Sequence, residues 1–174
     1  QVNVAPAEQP QMIDDDNEMY FSDSDDEEDD LGPQCCSRAE VLLVDDVLFN
    51  LMPLKAIIKH KFGKKCDEAI NGVIAVQMYL ANMTKTCCNV RYRAIFTDIQ
   101  MPEMDGITEA IEILKHEAEL RRANPALPKQ RITFISAYSD AETVERCRKL
   151  GIPDYLTKPV VIKRLAPILE TIFP

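Results

Sequence analysis

Four short apolar runs each end at, or just before, a polar side chain, and this arrangement constrains the fold of the chain more than any other feature of the sequence. The runs, rich in residues typical of buried parallel strands, are Val41–Val44, Ala94–Phe96, Ile132–Ile135 and Tyr155–Leu156. The polar residues that follow them are Asp45 and Asp46, Asp98, Ser136 and Lys158. Because ligands bind at the carboxyl ends of the strands in an open α/β sheet, we expect these side chains to meet at one edge. Carboxylates, a hydroxyl and an ammonium at one edge favour a site for a divalent cation and a phosphoryl group.

Helical patterns separate the apolar runs, and such alternation predicts βαβ units and a parallel sheet. The predicted strands are Glu40–Val44, Lys64–Ala69, Arg93–Thr97, Arg131–Ile135 and Asp154–Thr157. The second strand has the least regular pattern, because its residues are mostly polar. The predicted helices lie between Asp46 and Phe62, over Val73–Met83, over Ile107–Leu120, over Ala141–Leu150 and over Ile162–Ile172. The sequence therefore predicts five strands and five helices in alternation.

Several of these helices are predicted from apolar residues at helical spacing. The first carries Leu48, Leu51, Leu54, Ile57 and Ile58, and the third carries Ile107, Ile111, Leu114 and Leu120. Pro53 lies inside the first pattern, where it removes an intrahelical hydrogen bond. The first helix therefore either starts late or is kinked, and the sequence leaves both open.

The negative charge of the chain is concentrated at its beginning. The net charge is −9, but residues 1–30 hold twelve Asp or Glu and no Lys or Arg, so the rest carries 20 basic against 17 acidic residues, or +3. We interpret residues 1–36 as a disordered acidic tail or linker and residues 37–174 as one folded domain.

Within the acidic segment, Glu28 stands where a calcium loop needs Gly, which argues against an EF-hand. Ser22 and Ser24 precede acids and are either sites for an acidophilic kinase or plain linker residues.

Cysteine usage and hydropathy indicate the compartment. Cys66 and Cys147 stand alone, Cys35-Cys36 and Cys87-Cys88 are adjacent pairs, and no C-x-x-C spacing occurs. Free thiols in a reducing, cytoplasmic compartment are the expectation. No signal peptide and no membrane-spanning stretch is predicted, and the absence of a basic stripe with interleaved aromatic residues argues against nucleic-acid binding. The chain begins at Gln1, which we interpret as part of something longer.

Across residues 38–174 the strand-end motifs together resemble the receiver domain of two-component response regulators. The segments that carry the resemblance are Val44-Asp45-Asp46, Thr97 to Gly106 (TDIQMPEMDG), Ile135-Ser136-Ala137 and Tyr155 to Pro159 (YLTKP). The residues of the second segment, together with Asn71-Gly72, are most similar to those of receivers of hybrid sensor histidine kinases. The resemblance implies a flavodoxin-like, doubly wound (βα)5 fold with a five-stranded parallel sheet in the order 2-1-3-4-5.

The chemistry expected at the strand ends is aspartyl phosphorylation. Asp98 would attack a phosphohistidine and form an acyl phosphate, and Mg²⁺, or Mn²⁺ in its place, would neutralise charge. Asp46 and Asp98 are expected as direct ligands of the cation, and Asp45 as a ligand directly or through water. The resemblance implies the backbone carbonyl of Gln100 as the remaining protein ligand.

Three further residues are expected to serve the same phosphoryl group. Lys158 would pair with Asp98 before transfer and with a phosphoryl oxygen afterwards. Ser136 would donate a hydrogen bond to another phosphoryl oxygen, so that Asp98, Lys158 and Ser136 form the catalytic set. The resemblance implies a switch in which Ser136 draws the end of the fourth strand inward and the ring of Tyr155 changes rotamer.

The expected partner is a histidine kinase or a histidine phosphotransfer protein, with no nucleic acid and no membrane contact from this segment. We interpret the chain as the C-terminal module of a hybrid kinase, with a stand-alone single-domain regulator as the alternative. A non-phosphorylated docking module is a further reading. A phosphatase of the haloacid-dehalogenase type usually needs an Asp at the position of Gln100, which argues against that reading. Any catalysis by the domain itself would be its own phosphorylation and dephosphorylation.

Overall fold

The computed structural model describes residues 37–137 and 141–174. In these residues five strands alternate with five helices in the order β1 (Val41–Val44), α1 (Leu48–Phe62), β2 (Cys66–Ala69), α2 (Gly72–Thr84), β3 (Ala94–Asp98), α3 (Gly106–Ala123), β4 (Arg131–Ser136), α4 (Ala141–Lys149), β5 (Tyr155–Thr157) and α5 (Ile162–Ile172). The elements predicted from the sequence are confirmed, with ends that differ by a few residues.

The strands form one parallel sheet in the order β2-β1-β3-β4-β5, as the resemblance implied. Val44 of β1 lies opposite Thr97 of β3, and Thr97 lies opposite Phe134 of β4. At the far side, Ser136 of β4 lies opposite Thr157 of β5. This register brings the carboxyl ends of β1, β3, β4 and β5 to one edge of the sheet, which we call the carboxyl edge.

Each face of the sheet is covered by helices, so β1 is buried along its whole length. Leu42 and Ile95 belong to the core shared with α2 and α3, together with Tyr79 and Ile113. The opposite core is shared with α1 and α5 and contains Val41, Leu43, Leu54, Phe96, Leu165 and Leu169. Burial on both faces explains why the strand sequences are continuous apolar runs rather than alternating ones.

The first helix begins before its proline. It starts at Leu48, contains Pro53, and ends at Phe62. The C-cap residue that follows is Gly63, whose left-handed backbone (φ 61°) favours glycine. A late start, one of the two readings of the sequence, is therefore wrong. Pro53 has no N–H to donate to the carbonyl four residues earlier, so one bond of the second turn is missing.

Two residues that were predicted on buried helix faces are exposed. Leu48 is 50% exposed, because it lies in the first turn of α1, ahead of the buried Leu51 and Leu54. Ile111 is 44% exposed, because the buried face of α3 follows Ile107, Ala110, Ile113 and Glu117 and places Ile111 beside it. In α3 the buried face includes two acids, Glu109 and Glu117, which apolar periodicity alone does not reveal.

Gly106 is required by the close approach of α3 to the end of β3. Its amide donates to the carbonyl of Ile99 (3.1 Å), and a Cβ there would overlap the carbonyl oxygen of Asp98. We expect Gly106→Ala to lower the free energy of unfolding by about 2 kcal/mol, because the backbone must shift to admit the methyl group. Urea titration measures this. Gly63→Ala, where a Cβ has no neighbour within 4 Å, is the control for left-handed strain alone, and an equal loss in both variants would contradict the steric explanation.

Some sequence predictions concern residues 1–36 and 138–140, which lie outside the described residues. The disordered tail, the sites at Ser22 and Ser24, and the thiols of Cys35 and Cys36 therefore stay predictions. The described residues belong to one compact unit. None of the helices described is both long and apolar enough to cross a bilayer.

Candidate functional site

The carboxyl edge brings together side chains that lie far apart in sequence. The Nζ atom of Lys158, just after β5, lies 2.6 Å from Asp45 Oδ2 and 2.6 Å from Asp98 Oδ2. Asp45 follows β1, and Asp98 is the last residue of β3. The amide of Lys158 also donates to the carbonyl of Ser136 (2.8 Å), which joins the ends of β4 and β5. The predicted meeting of strand-end residues is thus present for these residues.

Asp45 is held by the turn that leads into α1. Its Oδ1 atom accepts hydrogen bonds from the amide of Val47 (2.9 Å) and from Nδ2 of Asn50 (2.9 Å). The N-cap of α1 is Val47, which makes no side-chain cap bond. Asp45 is therefore not the N-cap of this helix. One of its carboxylate oxygens is committed to the turn, and the other, Oδ2, faces Lys158.

Asp98 is buried, but its second oxygen is weakly engaged. Oδ1 accepts one long hydrogen bond from the amide of Gln100 (3.3 Å). Burial raises the pKa of Asp98 above its ordinary value, and Lys158 opposes this effect. Burial lowers the pKa of Lys158, but hydrogen bonds to Asp45 and Asp98 outweigh it, so the net shift is upward. Lys158 therefore stays a cation at neutral pH and holds two carboxylates together.

A third carboxylate completes an acidic cluster. Asp46 is exposed, and carboxylate oxygens of Asp45, Asp46 and Asp98 lie within 4.8 Å of one another. An octahedral Mg²⁺ with oxygens at about 2.1 Å places opposite ligands about 4.2 Å apart. Small side-chain rotations or bridging waters would therefore let the three carboxylates share one ion. The donor set is all oxygen, which is the chemistry that Mg²⁺ prefers over softer ligands.

The remaining predicted residues occupy the positions that the register gives them. Ser136 is buried at the end of β4. Tyr155 begins β5, is half-buried, and packs against the core on the α2–α3 face. Gln100 is exposed on the loop after β3. The roles assigned to these three residues stay predictions.

The loop that follows Asp98 is anchored by residues whose part the sequence did not indicate. Asn71 accepts a hydrogen bond from the amide of Ile74 (2.8 Å) and so caps α2, and its Nδ2 donates to Oε2 of Glu103 (2.9 Å). Glu103 has a left-handed backbone (φ 66°), which a residue with a side chain adopts at some cost. Asp105 caps α3 by accepting from the amide of Thr108 (2.8 Å). In the sequence, Asn71-Gly72 contributed only to the resemblance, whereas in the structure Asn71 ties α2 to this loop.

A buried acid lies under the end of β3. Glu109 of α3 is fully buried, and its Oε2 atom lies 2.6 Å from the hydroxyl of Thr97. Burial raises the pKa of Glu109 to about 8. Nothing in the sequence indicated this pair, because an acid in a helix is normally exposed.

Glu109→Gln is expected to remove a pH dependence from the stability of the fold. The pKa of Glu109 is about 8 in the folded state against an ordinary 4.5. Between these values the folded state holds a proton that the unfolded state releases, so the free energy of unfolding falls as pH rises through this window. The variant should gain about 3 kcal/mol relative to wild type from about pH 5 to about pH 8, as measured by urea unfolding. Glu119→Gln, an exposed position on the same helix, should show no such gain, and an equal gain there would contradict the assignment.

Apolar side chains are exposed beside the acidic cluster. Phe49 is 76% and Met52 is 61% exposed on α1, and Val161 and Ile162 are exposed after β5. A cavity of about 410 Å³ lies against Phe49, and its lining also includes Asp45, Lys158 and Pro159. A larger cavity of about 590 Å³, lined by Arg38, Lys59, Lys65 and neighbouring residues, lies where the strands begin, at the opposite edge.

Comparison with known proteins gives the family. A family model, the response regulator receiver domain, matches residues 41–170. The chain belongs to the response regulator receiver domain family. Relatives include Histidine protein kinase 1 of Candida albicans, 33% identical over 76% of this chain but only 5% of that protein. Chemotaxis protein CheY of Thermotoga maritima is 31% identical over 76% of this chain and 95% of that protein.

Solved structures give the same fold for the receiver. The CheX–CheY–BeF3–Mg complex of Borrelia burgdorferi is 26% identical, with a TM-score of 0.62 over 78% of this chain and 90% of that one. Chemotaxis protein CheY4 of Vibrio cholerae is 18% identical, with a TM-score of 0.61 over 78% of this chain and 99% of that one.

The peroxide stress-activated histidine kinase mak1 of Schizosaccharomyces pombe is 29% identical, and the receiver spans 8% of it. This receiver thus spans a small part of the kinases and most of the chemotaxis proteins that it matches.

Proposed function

We propose that this receiver takes a phosphoryl group from a phosphohistidine onto Asp98, with Mg²⁺ bound at the acidic cluster, and relays it as a conformational signal. The observation that carries the proposal is the position of Lys158, whose ammonium lies 2.6 Å from both Asp45 and Asp98 beside a third carboxylate. A cation between carboxylates at the end of a parallel sheet supplies what a carboxylate needs to accept an anionic group.

The transfer forms one bond and breaks one bond. A carboxylate oxygen of Asp98 attacks the phosphorus, an acyl phosphate forms, and the P–N bond to the imidazole of the partner breaks. The imidazole leaves with the bonding electron pair and takes a proton from solvent. Asp98 suits this role better than its neighbours, because Asp45 commits Oδ1 to Val47 and Asn50 and Asp46 is exposed. Lys158 would follow the charge from the carboxylate to a phosphoryl oxygen.

Mg²⁺ would be held by Asp46, Asp98 and the backbone carbonyl of Gln100, with Asp45 as a ligand directly or through water. When bound it neutralises charge on the phosphoryl oxygens. Mn²⁺ has the same preference for oxygen ligands and would replace it. Asp45 would keep two tasks, since one oxygen holds the turn and the other remains for the cation or for Lys158.

Ser136 and Tyr155 are proposed to carry the signal away from Asp98. A hydrogen bond from the Ser136 hydroxyl to the phosphoryl group would draw the end of β4 inward. Tyr155 lies on the neighbouring strand, where Phe134 is its partner in the register, so movement of β4 would change the space open to its ring. Phosphorylation would then shift a conformational equilibrium that exists beforehand.

The partner is proposed to be a histidine kinase or a histidine phosphotransfer protein. Phe49 and Met52 expose apolar surface next to the cavity that reaches Asp45 and Lys158, and exposed apolar patches mark protein-docking sites. A protein docked there could present a phosphohistidine to Asp98. Relatives among histidine kinases favour a receiver module of a hybrid kinase, with residues 37–174 as the receiver and residues 1–36 as an acidic linker. Relatives of the CheY type keep the stand-alone regulator as the second candidate.

Intact mass measurement after incubation with acetyl phosphate tests the proposal. We expect a gain of one phosphoryl group when Mg²⁺ is present. No gain is expected when EDTA is added before the phosphodonor. No gain from the folded protein with acetyl phosphate and with a phosphorylated phosphotransfer protein, at any concentration of Mg²⁺, would refute it in favour of a docking module.

A further inference from the structure

The hydroxyl of Thr97 faces two acceptors with one proton. Its Oγ1 atom lies 2.6 Å from Oε2 of Glu109 and 3.2 Å from the main-chain carbonyl oxygen of Asp98. A hydroxyl donates one hydrogen bond and accepts two. Thr97 can therefore donate to the Asp98 carbonyl only if the carboxyl group of Glu109 is protonated and is itself the donor in the hydrogen bond between Glu109 and Thr97. The protonation state of Glu109 decides which of the two acceptors Thr97 serves.

The surroundings of Glu109 favour the neutral acid. Its Oε1 atom is buried without a hydrogen-bond partner among the described residues. No Lys, Arg or His of that part of the chain forms an ion pair with it, and the charged group that acts on it, Asp105, has the same sign. On the α2 side it meets Gly72, where an added Cβ would lie 3.1 Å from Glu109 Cβ. On the β3 side it meets Thr97. An ionised carboxylate here would be buried with a single donor, which is costly.

We propose that Glu109 is a positioning residue that stays protonated at neutral pH, donates its proton to Thr97 Oγ1, and thereby commits the Thr97 hydroxyl to the carbonyl of Asp98. For phosphoryl transfer this inference rests on the function proposed above. The carbonyl of Asp98 is part of the backbone that aims the carboxylate at Lys158. Gly106 packs directly against that carbonyl, so the peptide is held from two sides, by Thr97 and by α3.

Loss of the proton would reverse this arrangement. Thr97 would turn its proton to the charged Glu109, and the carbonyl of Asp98 would lose that donor. Since positioning errors at reacting groups reduce rates, Asp98 should accept a phosphoryl group more slowly when Glu109 is ionised. A pH dependence centred on Glu109 would then exist on top of any titration of the reacting groups themselves.

Carbon-detected NMR tests the chain of hydrogen bonds without phosphorylation. In the full chain without Mg²⁺, the carboxyl carbon of Glu109 should titrate near pH 8. The carbonyl carbon of Asp98 should follow with the same midpoint, because its chemical shift responds to a hydrogen bond at its oxygen. A carboxyl carbon that is already ionised at about pH 6, or an Asp98 carbonyl that does not follow, would overturn the proposal.

Two variants separate positioning from plain packing. Glu109→Gln keeps a donor, the side-chain amide, toward Thr97, so the Asp98 carbonyl should stay in its low-pH state at every pH. Thr97→Val keeps the shape of the side chain and removes the hydroxyl. In that variant the carboxyl carbon of Glu109 should still titrate. The chemical shift of the Asp98 carbonyl carbon should not change with that titration. A carbonyl of Asp98 that titrates alike in wild type and both variants would contradict the inference.

Phosphorylation rates give the functional readout. With acetyl phosphate and Mg²⁺, Glu109→Gln should match wild type near pH 7 and exceed it by about fivefold near pH 9, the effect of one hydrogen bond. Circular dichroism at both pH values establishes that the variant and wild type remain folded. Equal rates at the higher pH would overturn the positioning role. If no variant is phosphorylated and the NMR titrations are nevertheless as expected, the result contradicts the proposed function. It still supports the hydrogen bonds from Glu109 through Thr97 to Asp98.

Discussion

Asp98→Asn is expected to abolish phosphorylation while leaving the fold intact. Asparagine keeps the shape of the side chain but loses the charged oxygen that attacks phosphorus. Lys158 keeps its contact with Asp45 at 2.6 Å, so its charge is not left without a partner, and the free energy of unfolding should change little. Intact mass after incubation with acetyl phosphate and Mg²⁺ should show no added phosphoryl group, where the wild type gains one.

Asp105→Asn is the matched control for this variant. Asp105 lies on the same loop, is exposed, and caps α3 through the amide of Thr108, a task that Asn performs about as well. It should be labelled like the wild type. Full labelling of Asp98→Asn, or loss of labelling in Asp105→Asn with Asp98 unmodified, would move the phosphoacceptor elsewhere.

Lys158→Met is expected to slow phosphorylation by about a hundredfold, the usual cost of removing one group that stabilises charge in the transition state. Without the ammonium, two carboxylates that both lay within 2.6 Å of one atom face each other with no cation between them. In the absence of Mg²⁺ the free energy of unfolding should fall by about 2 kcal/mol at neutral pH, less than for a fully buried pair because Lys158 is partly exposed.

Binding of Mg²⁺ distinguishes this explanation from a general loss of packing. An ammonium and a divalent cation compete for the same carboxylates, so Lys158→Met should bind Mg²⁺ about tenfold more tightly than the wild type, and saturating Mg²⁺ should restore much of its stability. Lys158→Arg, which keeps the charge on a planar group, should lose less stability than Lys158→Met. Weaker binding of Mg²⁺ by Lys158→Met would contradict the placement of Lys158 at the cation site.

The two predictions together test different parts of the site. Asp98→Asn removes the acceptor and preserves the electrostatic balance around Lys158. Lys158→Met preserves the acceptor and removes the balance. A protein in which the cluster serves only for docking would tolerate the first change, because the fold is kept, and would respond to the second only through stability. Phosphorylation measured on both variants therefore separates a working receiver from a docking module.

Sequence patterns were sufficient for the strands and for their order along the chain. Runs such as Val41–Val44 are buried on both faces, and such burial leaves a continuous apolar signature that is visible without a structure. A polar residue directly after such a run must lie at the carboxyl edge, since the strand direction is common to the whole parallel sheet. Asp45, Asp98 and Lys158 could be assigned to one edge for this reason alone.

Helix faces were predicted less well. A helical period identifies which residues share a face, but burial also depends on where the helix begins and what covers each turn. Leu48 shares the face of Leu51 and Leu54 yet lies in an uncovered first turn. In α3 the acids Glu109 and Glu117 lie on the buried face, so hydropathy assigned that face incorrectly to include Ile111. Pro53 left two readings, and only the observed start of α1 at Leu48 excluded one of them.

The sequence by itself determined the fold class, the edge at which the polar strand-end residues meet, and the chemistry that their residue types favour, because strand burial and chain direction are local properties written into short runs. Only the tertiary structure decided which atoms touch. The contact of Lys158 with both Asp45 and Asp98, the anchoring of the loop by Asn71 and Glu103, and the pair of Thr97 with Glu109 join residues that are 12 to 113 positions apart. Such contacts depend on how elements pack against one another, and no local pattern encodes that packing.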